Sequence, residues 1–187
     1  MPRTLFVGDV HGCSRELARL LDKARPTRVI LVGDLFTKGP DPRGVWKTIR
    51  RWDCEAVLGN HDAAVLRTWT PGKELPRKAF RWLRSRPHMI RERSFIAVHA
   101  GLNPERPKRT SPRQAMHLRT WKRKRPWWES YQGRRLVVHG HHAREGLLDL
   151  RPMVLGLDTN CVGGGRLTGY VLETDEVLTV KAKRAYA

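Results

Sequence analysis

LVGDLFTKGP, residues 31–40, runs as an apolar strand, breaks at Gly33 and sets Asp34 where the strand ends. A buried carboxylate is costly unless something positive or hydrogen-bonding meets it. Four other stretches repeat the pattern: FVGDVHG (6–12), VLGNHD (57–62), AVHAGL (97–102) and VVHGHH (137–142). Each is an apolar run whose end carries Asp, Asn or His beside glycine. In an α/β sheet the strand ends converge on one crevice. The pattern therefore brings Asp9, His11, Asp34, Asn60, His61, His99 and His141 to a shared site. Glycines at such tips let the backbone turn sharply and approach a ligand.

The rest of the chain fits that reading. Strands are expected at 4–8, 28–33, 55–58, 95–98, 136–139, 153–157, 169–173 and 177–180. A helix from Ser14, with Ser14 as its cap, has Leu17, Leu20 and Leu21 on one face. Further helices are expected over 41–52, with Pro42 in the first turn, and over 61–69, 75–84 and 111–119. Residues 103–112 form a basic loop. Helices and strands alternate early and strands dominate late, which is an α/β protein. No internal repeat or low-complexity linker appears.

The 187 residues suit one domain, 1–187. No apolar run is long enough for a membrane helix, and the N-terminus enters a strand without a signal core, so a cytoplasmic protein with no membrane partner is expected. Cys13, Cys54 and Cys161 have no CxxC spacing and read as buried thiols. Lys and Arg number 37 against 18 acids, a formal charge of +19. Such a field draws polyanions without choosing among nucleotides, polyphosphate and nucleic acid. Oligomeric state is left open.

Carboxylates, imidazoles and an amide without thiolate suit divalent metals that accept mixed oxygen and nitrogen ligands: Mn²⁺, Fe²⁺, Co²⁺ or Zn²⁺ rather than Ca²⁺ or Mg²⁺. There are more donors than one ion needs, and two ions about 3.5–4 Å apart would use them. Asp34 can then be the carboxylate shared by both.

GDVHG, GD followed by GP, GNHD, HAG and GH resemble the calcineurin-like metallophosphoesterases of the phosphoprotein phosphatase branch. GLDTNCVGGGRLTGYVLE and LRTWKRKRPWWESYQGRRLVVHGHH are most similar to the bacterial diadenosine tetraphosphatase group. The resemblance runs from Thr4 to about Val180. It implies an αββα sandwich, two central β-sheets flanked by helices. It implies two divalent ions, manganese first, the first held by Asp9, His11 and Asp34 and the second by Asp34, Asn60, His99 and His141. His61 is implied as the general acid, in a reaction where metal-activated water attacks phosphorus. His139 and His142 match no ligand position, and His139 is expected in the core or behind the ligands.

Where protein phosphatases of that branch read GDxxDRG, this chain has Thr37 and Lys38. The replaced aspartate orients the catalytic histidine and the arginine grips phosphate. Threonine cannot balance an imidazolium, and lysine lacks the planar fork of arginine. His61 is thus expected to be a weakly supported acid. A phosphate leaving group, with a second pKa of about 6, needs less help than an alkoxide. The departure favours phosphoanhydrides: a dimetal hydrolase of dinucleoside polyphosphates such as diadenosine tetraphosphate. A phosphoprotein phosphatase and a hydrolase of RNA 5′ ends are the alternative enzymes, and a nucleic-acid-binding module is the alternative class. Lys38 and Arg119 are candidate phosphate contacts. Trp121, Trp127 and Trp128 could stack a base, with packing under a loop the favoured reading, and VGGGRLTG lacks the ending of a P-loop.

Overall fold

Four-residue apolar runs such as TLFV, RVIL and FIAV are what strands covered on both faces require. In the computed structural model, which describes residues 2–187, they become the centres of two five-stranded sheets. The chain order is β1 (Thr4–Val7), α1 (Ser14–Ala24), β2 (Arg28–Leu31), α2 (Pro42–Arg51), β3 (Glu55–Ala56), α3 (Asn60–Thr68), α4 (Arg77–Arg84), β4 (Met89–Arg91), β5 (Phe95–Val98) and α5 (Pro112–His117). There follow β6 (Leu136–His139), β7 (Leu148–Leu150), β8 (Val154–Gly156), β9 (Arg166–Val171) and β10 (Glu176–Lys181). The first sheet has the order β10-β9-β1-β2-β3 and the second β4-β5-β6-β8-β7. Within them β1, β2 and β3 are parallel, as are β5, β6 and β8, and the remaining pairings are antiparallel.

The period-2 alternation of a strand builds three apolar layers. Phe6, Ile30 and Val32 face Phe95, Ala97, Val138 and Leu155 between the sheets. Their neighbours Leu5, Val7 and Leu31 point the other way, onto Leu17, Leu20 and Leu21 of α1 and Val45 and Ile49 of α2. On the outer face of the second sheet Ile96, Val98 and Val137 pack on Ala115 of α5 and on Trp127 and Tyr131. The helix–sheet–sheet–helix order expected from the motifs is the one observed.

Several boundaries moved. Ser14 is the first residue of α1 rather than its cap, and its hydroxyl instead donates to Asp41 at 2.7 Å. Asp41 caps α2 by accepting the Gly44 N–H, with Pro42 at the first turn as expected. The helix expected from Leu75 starts at Arg77, because Leu75 bridges to Pro71. The third strand keeps two residues, and the one expected at 169–173 begins at Arg166. The edge strands β4 and β7 were not foreseen.

Trp127 is fully buried and donates its indole N–H to the Ala100 carbonyl, while Trp128 stacks on His139. These tryptophans pack, as expected. His139 is also buried in the core, with its Nε2 lacking a partner among the described residues. The three cysteines are free and buried. No described helix is long and apolar enough to cross a membrane.

Candidate active site

Five of the six parallel strands end in residues that line one cavity, of about 180 Å³. Asp9 and His11 follow β1, Asp34 follows β2, Asn60 and His61 follow β3, and His141 follows β6; all line it. His99, directly after β5, is fully buried behind them. The seven residues expected at one site are therefore brought together.

Asp34 is the hub. Its Oδ1 accepts the His61 N–H at 2.9 Å. Its Oδ2 faces His99 Nε2 at 3.4 Å and His11 Nε2 at 3.6 Å. Two sets of donors thus meet on one carboxylate, His11–Asp34–His61 and Asp34–His99–His141, each with its ligand atoms within 4.8 Å of one another. Asn60 adjoins the second set, with Oδ1 2.9 Å from His99 Nε2. In the first set His61 joins His11 and Asp34, and Asp9 lies outside both sets. The Asp9 carboxylate lines the same cavity but is turned to the His141 N–H, at 3.1 and 3.3 Å.

Two buried bonds orient the imidazoles. His99 Nδ1–H donates to the Val32 carbonyl at 2.8 Å, which directs Nε2 at Asp34 and Asn60. His11 Nδ1 lies 3.0 Å from Thr37 Oγ1, which leaves Nε2 for Asp34. Thr37 therefore serves His11. The His61 ring has no hydrogen-bond partner among the described residues, and packs edge-on to His11 with centroids 5.0 Å apart.

The electrostatics ask for a cation. Burial, and then Asp158, push the Asp9 carboxyl well above its usual range. Burial also raises Asp34, but the charge of His99, its hydrogen bond and the charge of His11 outweigh this and hold Asp34 low. Burial works against a charged His99, yet Asp34 and Asp9 raise it to about 10. The proton on His99 Nε2 thus ties together Asp34 and Asn60, the oxygens a metal at that nitrogen would bind. Burial lowers His11 to about 4 and His141 to about 2, keeping both neutral and their lone pairs free. Burial lowers His61 too, less strongly.

Lys38 and Arg119 both line the cavity, and Arg119 donates to the His141 carbonyl at 3.3 Å. Two carboxylates escaped the sequence reading. Asp158 lines the cavity two residues after β8 and accepts the Asn160 N–H. MVLGLD has the same form as the other strand ends, so the signal was present. Asp62, the last residue of GNHD, is fully buried and accepts the N–H groups of Asp34, Leu35 and Gly59 at 2.8, 2.9 and 3.1 Å.

A family model described as calcineurin-like phosphoesterase matches residues 2–175. The chain belongs to the calcineurin-like phosphoesterase family. Among curated relatives of this phosphoesterase, symmetrical bis(5′-nucleosyl)-tetraphosphatase of Edwardsiella ictaluri is 35% identical over 125 residues, 54% of this chain and 44% of its own. The enzyme of the same name from Methylococcus capsulatus is 35% identical over 118 residues, 52% of this chain and 42% of its own. The chain thus spans less than half the length of these relatives. A crystal structure provisionally named a diadenosine tetraphosphatase is 31% identical, with a TM-score of 0.88 over 97% of this chain and 96% of that one. Membership of the family implies divalent metal ions. The residues present fit them: three buried carboxylates stand among four imidazoles, and two of the nitrogen–oxygen sets they form share Asp34.

Proposed function

We propose that this phosphoesterase hydrolyses the phosphoanhydride chain of dinucleoside polyphosphates such as diadenosine tetraphosphate. The observation that carries the proposal is the pair of nitrogen–oxygen donor sets sharing Asp34. The names of the relatives and of the similar solved structure support the substrate class. In this reading the chain acts as a single metallophosphoesterase domain, 1–187. Asp9, His11 and Asp34 hold one ion, and Asp34, Asn60, His99 and His141 the other, with manganese as the proposed metal. The three buried free thiols support a reducing, cytoplasmic setting.

When bound, a pair of divalent ions acidifies water and neutralises charge on phosphate oxygens. Lys38 and Arg119, at the mouth of the cavity, hold the phosphate chain and add positive charge where charge spreads in the transition state. His61 donates a proton to the departing oxygen. With Thr37 turned to His11, no carboxylate braces His61, which suits a phosphate leaving group better than a serine alkoxide.

The test compares hydrolysis of diadenosine tetraphosphate with that of a phosphoserine peptide in manganese, with products separated after cleavage in ¹⁸O water. The dinucleotide is expected to be preferred, and symmetrical cleavage would give two ADP. Preference for the peptide rejects the reading. His61→Ala should keep its metal and lose about 10²–10⁴-fold in rate. Loss of metal in that variant would instead make His61 a ligand of the first set.

A further inference from the structure

The catalytic cavity, at about 180 Å³, holds little more than the phosphates of a dinucleotide, since pockets that enclose whole small ligands run to about 300–1,000 Å³. A neighbouring cavity of about 320 Å³ has that size. The same two loops build both. His11 and Lys38 line the first cavity, Ser14 and Pro40 the second. Lys38 and Pro40 are two residues apart, so their Cα atoms lie within about 7 Å, and those of His11 and Ser14 within about 11 Å. The loops are locked side by side: the Asp41 N–H donates to the Gly12 carbonyl at 3.0 Å and the Ser14 hydroxyl to Asp41 at 2.7 Å. A larger hollow along α4, beside Arg77, Arg81 and Arg84, shares no loop with the catalytic cavity.

The second cavity is basic and carries one aromatic ring. Arg15, Lys183, Arg184 and Tyr186 line it. Its acids are already engaged. Asp41 accepts the Ser14 hydroxyl and the Gly44 N–H. Glu16, buried, accepts the Lys183 N–H and the Tyr186 hydroxyl at 3.2 and 2.9 Å. Those bonds, with the Tyr186 N–H on the Val162 carbonyl at 2.7 Å, fix the Tyr186 ring in place. The Arg184 guanidinium lies 5.8 Å from its centroid. Cations beside a fixed aromatic face suit a nucleoside phosphate: the ring stacks the base and the cations meet the phosphate.

We propose that this cavity is the subsite for the distal nucleoside phosphate of the substrate, the half that lies beyond the phosphorus under attack. This rests on the dinucleoside polyphosphate reading above. The experiment measures kcat/KM for diadenosine tetraphosphate and for p-nitrophenyl phosphate, which has no distal half, in wild type, in the double variant Arg15→Ala/Arg184→Ala, and in Tyr186→Phe and Tyr186→Ala. The ratio of the two kcat/KM values is expected to fall about tenfold or more in the double variant and in Tyr186→Ala. Tyr186→Phe, which keeps the ring, should fall less. A parallel fall for both substrates, or an unchanged ratio, overturns the subsite. If wild type does not cleave the dinucleotide at all, the function reading fails. The subsite is then judged by ATP binding followed through tryptophan fluorescence. Weaker binding in the double variant supports it, and equal binding overturns it.

Discussion

Thr37 shows how one side chain redistributes support within the site. Its hydroxyl lies on His11 Nδ1, not on His61. A group that fixes the tautomer and direction of a metal-binding imidazole typically contributes 10–100-fold in metal affinity. Thr37→Val should therefore weaken binding at the first ion by about that factor, read by calorimetric titration of manganese. Thr37→Ser, which keeps the hydroxyl, should restore it. A valine variant that binds manganese as tightly as wild type would remove this role. Asp158 and Asp9 act at the same scale: both sit in the cavity, and the charge of Asp158 raises the Asp9 carboxyl while a hydrogen bond to Asp9 lowers that of Asp158.

Among the elements, the loops after the strands matter more than the strands. His11, Asp34, Lys38, His141 and Asn160 all line the cavity with φ between 44° and 68°. Side chains other than glycine enter that left-handed region at a cost of about 1–3 kcal/mol each, and hold it only where surroundings dictate it. Asp62 is one source of that dictation. From the first turn of α3 its carboxylate receives the Asp34, Leu35 and Gly59 N–H groups, stitching the loop after β2 to the loop after β3. Burial and Asp34 push its carboxyl up to about 7 even though those donors pull it down. Asp62→Ala would strand three buried donors, each costing about 1–3 kcal/mol. The unfolding free energy in urea should drop by at least about 3 kcal/mol, with loss of metal binding as Asp34 comes loose. Unfolding at the wild-type midpoint would show that the stitch is not needed. Gly59 allows the same closeness, since a Cβ there would collide with the Asp34 carboxylate and amide nitrogen.

At the scale of the whole molecule, two sheets bring six strand ends and three buried carboxylates to one place, an arrangement that positive charge inside it would stabilise. A ligand that binds the folded state alone stabilises by about 2.7 kcal/mol at a hundred times its dissociation constant. Manganese should raise the melting temperature and chelator should lower it. In Asp34→Asn, which weakens both donor sets, most of the rise should vanish. A melting temperature indifferent to saturating manganese would count against a paired-cation site. The +19 charge acts over longer range, drawing anionic substrates toward the molecule at low ionic strength.

Much of this was legible in the sequence. A strand end repeats a local pattern, apolar run then glycine then ligand, and the physics behind it is local: period-2 burial and the conformational freedom of glycine. GDVHG, GD, GNHD, HAG and GH therefore point to Asp9, His11, Asp34, Asn60, His61, His99 and His141 before any coordinates. Only the fold decided the rest, because it depends on which residues meet across long stretches of chain. Thr37 lies beside His11, 26 residues away, and this separates its role from the one its motif position suggests. Asp62 reaches back 28 residues to Asp34. Edge strands β4 and β7 exist because a neighbouring strand offers them hydrogen bonds, and their own residues carry little apolar pattern. The second cavity joins α1 to a segment about 170 residues later through Glu16. Local pattern pointed to the candidate ligands, and tertiary contact decided what each is held by.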